Sequence, residues 1–274
     1  MNNSLKSYFL YAKSNANKHG NISRDFGYFL KWLGVSDAII ALEDDCDLSK
    51  EQILKIDIFF SSYFSGVPLD YILRESLFFG YKFYVDSRVL IPRPETELII
   101  EWVLDLSLKK NSAIIEVGTG SGCIAISIAL QKANFKIIAT DLSDIALEVA
   151  NLNRKFHDVK NVLLVQSNWM SFVKDNSLDL IISNPPYLKP NDPHLDDLKH
   201  EPLIALTSKN GSQSFHEIAS QAIFSLKPKG KIIFEHGSSQ SKEVSNILKD
   251  YGFKNIVSEQ DLQGLDRYTH AEKL

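Results

Sequence analysis

Ala113-Ile-Ile-Glu-Val117-Gly118-Thr119-Gly120-Ser121-Gly122-Cys123 is the stretch on which the fold turns. A short β-branched run predicts a buried strand, the glycines predict a tight turn, and the apolar stretch Ile124–Gln131 predicts a helix. The same grammar repeats outward. Lys136–Thr140, Val162–Gln166, Leu178–Ser183 and Lys231–Glu235 read as strands, with helical stretches such as Ile145–Phe156 between them. Alternating strands and helices imply a parallel, doubly wound α/β sheet. Gly252–Glu259 and Arg267–Leu274 are expected to complete it as terminal strands.

Upstream the pattern differs. Residues 1–75 are poor in glycine and read as short helices. Leu5, Phe9, Tyr11 and Ala12 sit at helical spacing, as do Phe26, Phe29, Leu30 and Leu33 ahead of a stop at Gly34. Asp47-Leu-Ser-Lys-Glu-Gln52 opens a further helix carrying Ile53, Ile56, Phe59, Phe60 and Phe64, which Gly66-Val-Pro68 breaks. The aromatic and β-branched stretch 77–91 suits a hairpin. Pro92-Arg-Pro-Glu-Thr-Glu97 then starts a helix, with Pro94 at its first position and acids in its first turn. The expected organisation is a helical domain over 1–75, a β-hairpin linker over 76–91 and an α/β domain over 92–274.

The chain has 274 residues, 44% hydrophobic and 23% charged, with a formal net charge of −4. That balance argues against a broad basic surface for nucleic acid. No secretory leader pattern or apolar run of membrane-spanning length is visible. Cys46 and Cys123 are the only cysteines and the 7 histidines do not cluster, so neither a metal site nor a disulfide framework is expected. A reducing cytoplasm is the simplest home.

The glycine turn lies where open α/β sheets bind ligands, and Asp141 ends the next strand where a ribose-binding carboxylate is expected. A nicotinamide dinucleotide and S-adenosylmethionine both suit this pattern. Two details favour the second. The spacing is G-x-G-x-G, and Glu116 precedes the first glycine by two positions, where an acid suits a cationic cofactor better than a pyrophosphate. Asn168-Trp169 falls at the same sheet edge, where Trp169 can flank an adenine or simply pack in the core.

The strand Leu178–Ser183 ends in Asn184-Pro185-Pro186-Tyr187. Two prolines remove two N–H donors, so this tip offers mainly carbonyls. The Asn184 oxygen beside the Pro185 carbonyl makes a pair of acceptors suited to a planar NH2 group, and Tyr187 adds an aromatic wall.

Taken together, Asn184-Pro-Pro-Tyr187, Glu116-x-Gly-x-Gly-x-Gly122 and Ile91-Pro-Arg-Pro-Glu-Thr-Glu97 closely resemble the PrmC (HemK) methyltransferases. The likeness extends to Gly66-Val-Pro-Leu-Asp-Tyr-Ile72, Asp192-Pro-His-Leu-Asp196, Glu201-Pro-Leu-Ile-Ala-Leu206 and Glu235-His-Gly237. The resemblance implies a Rossmann-like S-adenosylmethionine-dependent sheet preceded by a small helical domain. It implies methylation of the side-chain amide nitrogen of the glutamine in the Gly-Gly-Gln motif of peptide chain release factors. By the same resemblance, Glu116, Gly118, Thr119, Gly120, Ser121, Gly122, Asp141, Asn168, Trp169 and Asn184 are the expected cofactor residues. Asn184, Pro185, Pro186, Tyr187 and Arg93 are the expected substrate residues, with Asn184, Pro185 and Tyr187 catalytic. The family commonly has Asp where this chain has Asn168.

His236 reads as a structural histidine, and Cys123 as a packing residue. His194, Asp196 and Glu201 lie in the loop beyond the tip and are candidates for shaping a peptide groove. A cluster such as Phe78, Phe79, Tyr81, Phe83 and Tyr84 reads as hairpin core before it reads as a base-stacking platform. Competing readings are a glutamine methyltransferase for a ribosomal protein, an adenine amino-methyltransferase for nucleic acid, and a non-catalytic docking module. The expected partner is a release factor, without membrane or nucleic acid, and a monomer is expected.

Overall fold

The computed structural model describes residues 4–274 and divides into two compact units, one ending at Glu75 and one covering Ser76–Leu274. The first unit is helical: α1 (Leu5–Asn15), α2 (Ile22–Trp32), α3 (Asp37–Leu42), α4 (Lys50–Phe64) and α5 (Leu69–Leu73). Ser49 caps α4, and Gln52 reaches back to the Ser49 backbone in a capping box. Ile22, Phe26, Phe29 and Leu30 from α2 meet Ile56, Phe59 and Phe60 from α4 in one apolar cluster. Phe29 stacks on Phe59 with centroids 4.5 Å apart. The helices α3 and α5 are too short to carry a periodic apolar signal, so the sequence does not announce them.

The second unit begins with the antiparallel pair β1 (Ser76–Phe78) and β2 (Tyr81–Phe83). The hairpin ends at Phe83, and residues 84–93 form an irregular strap containing Asp86, Pro92 and a turn at Val89, with no ladder. Phe78 and Phe83 are buried in the core, while Tyr84 turns its hydroxyl to Asp86 at 2.9 Å. A 3-10 turn, Pro94–Thr96, leads into α6 (Glu97–Asp105).

The alternation then follows: β3 (Ala113–Val117), α7 (Cys123–Gln131), β4 (Lys136–Asp141), α8 (Asp144–Phe156), β5 (Val162–Gln166), β6 (Leu178–Ser183), α9 (Leu203–Leu206), α10 (Gln213–Ser225), β7 (Leu226–Glu235), α11 (Ser241–Asp250), β8 (Lys254–Gln260) and β9 (Asp266–Glu272). The seven-stranded order is β5-β4-β3-β6-β7-β9-β8. Strands β3 to β7 pair in parallel, and β9 inserts antiparallel between β7 and β8. The order of strand addition reverses between β3 and β6, which opens a crevice at their carboxyl ends. Strand β7 begins earlier than Lys231, because Leu226 pairs with Leu178 across a register shift that Pro228 and Gly230 conceal in the sequence. Among the described residues, no helix is long and apolar enough to cross a membrane.

Candidate active site

Side chains alternate along a strand, so each sheet face takes every second residue. Ile114, Leu180, Ile182 and Ile233 pack on the face of α6 and α7, whereas Ile115, Val117, Ile181, Ile232 and Phe234 pack on the face of α10 and α11. Glu116, Asn184 and Glu235 continue the first set. Three polar side chains therefore meet on one face at the carboxyl edge.

A cavity opens there. Its lining includes Arg93, Glu116, Gly118, Thr119, Gly120, Ser121, Asp141, Asn168, Trp169, Asn184 and Pro186. The loop's own donors are largely committed. The Gly118 and Thr119 N–H groups both donate to the Thr140 carbonyl, at 2.9 and 2.8 Å. Gly120 donates to Asp141 Oδ2 at 2.9 Å, and Gly122 donates to the Thr119 carbonyl at 2.8 Å. A pyrophosphate would thus find few free donors and two carboxylates. A positively charged nucleoside suits the same surface.

Glu116 is 1% exposed, and its Oε2 accepts from Thr119 Oγ1 at 2.6 Å and Ala125 N at 3.0 Å. Burial pushes its carboxyl up to about 8, against those two donors. A cation arriving in the cavity would favour the ionised form. Burial likewise raises the Asp141 carboxyl, while N–H groups of Ser143, Gly120 and Leu142 pull the other way.

Gly122 does not line the cavity. Its φ is +82°, and a Cβ there would stand 2.9 Å from Ile126 Cδ1 and 3.2 Å from Ala150 Cβ. The glycine lets α7 pack on α8. Gly120, at φ +53°, has open space where a Cβ would point.

Trp169 both packs and lines. Its ring joins the apolar cluster beneath the sheet edge, and it walls the cavity beside Gly118. Its φ is +54°, a left-handed value uncommon for a large side chain. Trp169 Nε1 donates to Glu217 Oε2 at 2.7 Å, which fixes the indole plane. Glu217 carries no sequence signal, because an acid near Gln213 on α10 looks like a solvated face. Glu217→Ala should weaken cofactor binding about tenfold, by leaving the indole N–H unpaired and the ring free to turn. Calorimetric titration with the cofactor checks this; unchanged affinity would remove Trp169 from the cofactor wall.

At the tip, Ser183 Oγ donates to the Val117 carbonyl at 2.7 Å and ties it to the glycine turn. Asn184 and Pro186 line the main cavity, whereas Pro185 is buried and lines none of the cavities described. Tyr187 lines a smaller neighbouring cavity with Leu90, Leu188, His194, Leu198, Leu206 and Glu235. The two cavities share Leu90, Arg93, Asn184 and Ala205. Asn184 thus stands on the wall between them.

The strap 84–93 is held by single polar side chains. Asn153 is fully buried; it accepts from Tyr84 N at 2.7 Å and donates to the Tyr84 and Ser121 carbonyls at 2.9 and 2.8 Å. Glu201 is 6% exposed and accepts from Ile91 N at 3.0 Å and from the Arg93 guanidinium. Glu201 therefore seats Arg93, which lines both cavities. His236 is buried between Thr269 Oγ1 at 2.8 Å and the Gly237 carbonyl at 3.0 Å, as a structural histidine would be. His194 is exposed beside Asp192 at the rim of the smaller cavity.

Comparison with known proteins places this geometry. The family model described as Methyltransferase small domain matches residues 95–251. The release factor glutamine methyltransferase of Shewanella oneidensis is 38% identical over 207 residues, covering 74% of this chain and 72% of that protein. Its counterpart in Coxiella burnetii is 33% identical over 231 residues, covering 84% and 83%. The one in Flavobacterium psychrophilum is 36% identical over 237 residues, covering 83% of each. The chain belongs to the release factor glutamine methyltransferase family.

Solved structures agree on the fold of this methyltransferase. A Pyrococcus furiosus methyltransferase superposes with a TM-score of 0.54 at 18% identity, covering 79% of this chain and 95% of that one. The cofactor of the methyltransferase is S-adenosylmethionine. The committed loop donors and the two cavity carboxylates fit that cationic nucleoside.

Proposed function

We propose that the chain methylates the side-chain amide nitrogen of the glutamine in the Gly-Gly-Gln motif of peptide chain release factors. The observation that carries this reading is Asn184, shared by two adjoining cavities. One suits the cofactor. The other has aliphatic walls at Leu90, Leu188, Leu198 and Leu206, Tyr187 to one side, and a polar end at Asn184. That shape suits two methylenes leading to a carboxamide. A nucleobase would instead favour an aromatic slot and a basic surround, and the net charge is −4.

Bound S-adenosylmethionine supplies an electrophilic sulfonium methyl group. The chain supplies position and field. An amide nitrogen is a poor nucleophile, because its lone pair is delocalised into the carbonyl. The Asn184 Oδ1 accepts one of its N–H bonds and aims it at the main cavity, and the Pro185 carbonyl, which lines neither cavity here, takes the second once the glutamine has entered; together they favour partial rehybridisation. Orienting the reacting groups contributes up to about 7–11 kcal/mol in favourable cases. The same acceptors stabilise positive charge growing on nitrogen. One proton then leaves the nitrogen, and water suffices to take it. Pro186 and Trp169 would flank the cofactor, Asp141 would accept from its ribose hydroxyls, and Arg93 lines the cavity mouth.

Residues 1–75 form the unit that recognises the release factor away from the Gly-Gly-Gln loop, and residues 92–274 carry the chemistry. A monomer acting in the cytoplasm, without nucleic acid or membrane, completes the reading. Intact-mass spectrometry of a purified release factor after incubation with the chain and S-adenosylmethionine tests it. A gain of one methyl, mapped to the Gly-Gly-Gln glutamine, is expected. No gain with cofactor binding intact would overturn the substrate and turn attention to ribosomal proteins.

A further inference from the structure

An acceptor role for Asn184 requires its carboxamide to face one way round. The oxygen and the NH2 group are nearly the same size, so packing alone leaves both orientations open. Here Asn184 Nδ2 points at Thr96 Oγ1, 3.4 Å away. Thr96 is 3% exposed, and its hydroxyl lies near enough to the Glu235 carboxyl to favour its charged form. Glu235 is 2% exposed, and its Oε2 is buried without a hydrogen-bond partner. Neither Thr96 nor Glu235 has a part in the chemistry described above, yet Thr96 lines the main cavity and Glu235 the smaller one that meets it at Asn184.

The proton count decides the orientation. An ionised carboxylate only accepts, and a hydroxyl has one proton. With Glu235 charged, Thr96 gives that proton to Glu235 and turns its lone pairs to Asn184. Only the NH2 group fits there, so Oδ1 faces the substrate. With Glu235 protonated, the carboxyl can donate to Thr96. The hydroxyl proton then turns toward Asn184, whose matching partner is Oδ1. The carboxamide rotates and presents NH2 to the substrate NH2, donor against donor.

We infer that Thr96 and Glu235 are positioning residues, an ordered chain from carboxylate through hydroxyl to amide that fixes which end of Asn184 meets the substrate. Its catalytic consequence rests on the glutamine-methylation reading; the chain itself does not. The charged and titratable groups around Glu235 are Arg267 on β9, Arg93 just before and Glu95 within the 3-10 turn, Tyr187 at the tip and Cys123 on α7. The arginines favour the ionised carboxyl and Glu95 opposes it. Burial is the largest influence, and it pushes Glu235 up to about 7. The carboxyl therefore gains its charge as pH rises through neutrality, and turnover should rise with it.

Nitrogen-15 NMR of the Asn184 side-chain amide in the full chain, followed across neutral pH, tests the chain without any substrate. One titration step is expected, abolished in Glu235→Gln and in Thr96→Val. In the methylation assay, Thr96→Val should lower kcat on the order of 10²-fold with KM little changed. It should also lose the acid limb of the pH profile. Thr96→Ser, which keeps the hydroxyl, should restore both. An Asn184 amide that does not titrate in the parent chain would overturn the inference. So would a Thr96→Val enzyme that keeps its full acid limb, which would make Glu235 a direct proton acceptor. A parent chain that fails to methylate the release factor strikes the proposed substrate, and the NMR result still decides the positioning chain.

Discussion

Asn184→Ala should lower turnover about 10²–10³-fold while leaving cofactor affinity within about tenfold. The side chain stands on the wall between the two cavities, so its loss removes an acceptor from the amide and only a contact from the cofactor. Asn184→Asp is the sharper probe. A carboxylate accepts from either oxygen, so it needs no orienting partner, but it adds a negative charge near Glu235 and Glu116. Turnover between those of the parent and the alanine variant is expected. Methyl transfer measured at saturating cofactor, with affinity measured separately, checks both variants. Parent-like turnover in Asn184→Ala would sink the scheme of paired acceptors.

The second large effect concerns Asp141. Its Oδ2 accepts from Gly120 N and its Oδ1 from Ser143 N, both at 2.9 Å. Those bonds orient the carboxylate at the cavity edge and leave lone pairs for two ribose hydroxyls. Hydrogen bonds to a charged group contribute about 1.5–3 kcal/mol each. Asp141→Ala removes that pair and also frees the Gly120 N–H, so cofactor affinity should fall at least about 10²-fold. Asp141→Asn keeps one acceptor and should fall between the two. Isothermal titration with S-adenosylmethionine measures the loss, and a drop of less than about threefold would remove Asp141 from the ribose contact. Thermal unfolding of the unliganded variant separates binding from stability.

The strands of the sheet were legible because their apolar runs are short, β-branched and bounded by polar turns. Glu116, Asp141 and Asn184 were legible because each ends a strand at the edge where such sheets bind ligands. The strap was not. Residues 84–91 keep the aromatic and β-branched composition of the hairpin, yet Asp86 and the turn before Val89 prevent pairing, and only the fold reveals this. Thr96, Asn153, Glu201, Glu217 and Glu235 share another difficulty. Their roles are set by partners far along the chain, such as Tyr84 for Asn153 and Trp169 for Glu217. No local spacing announces such a pair. Gly122 shows the reverse case. Its place in a ligand-type motif is plain in the sequence, but the space it keeps clear belongs to Ala150.

The anchoring of the strap also sets an order of assembly during synthesis. Domains tend to fold as units, N-terminal parts first, while the chain is being made. The strap precedes every residue that holds it: Asn153 follows Tyr84 by 69 positions, and Glu201 follows Ile91 by 110. Each contact closes a loop that spans several strands of the sheet, at an entropic cost that grows slowly with length. The cavity edge from Glu116 to Trp169 emerges first. The tip, the clamp on Arg93 and the carboxylate behind Thr96 follow. A nascent chain interrupted between Trp169 and Asn184 therefore carries one edge of the cavity without the residue proposed to aim the amide.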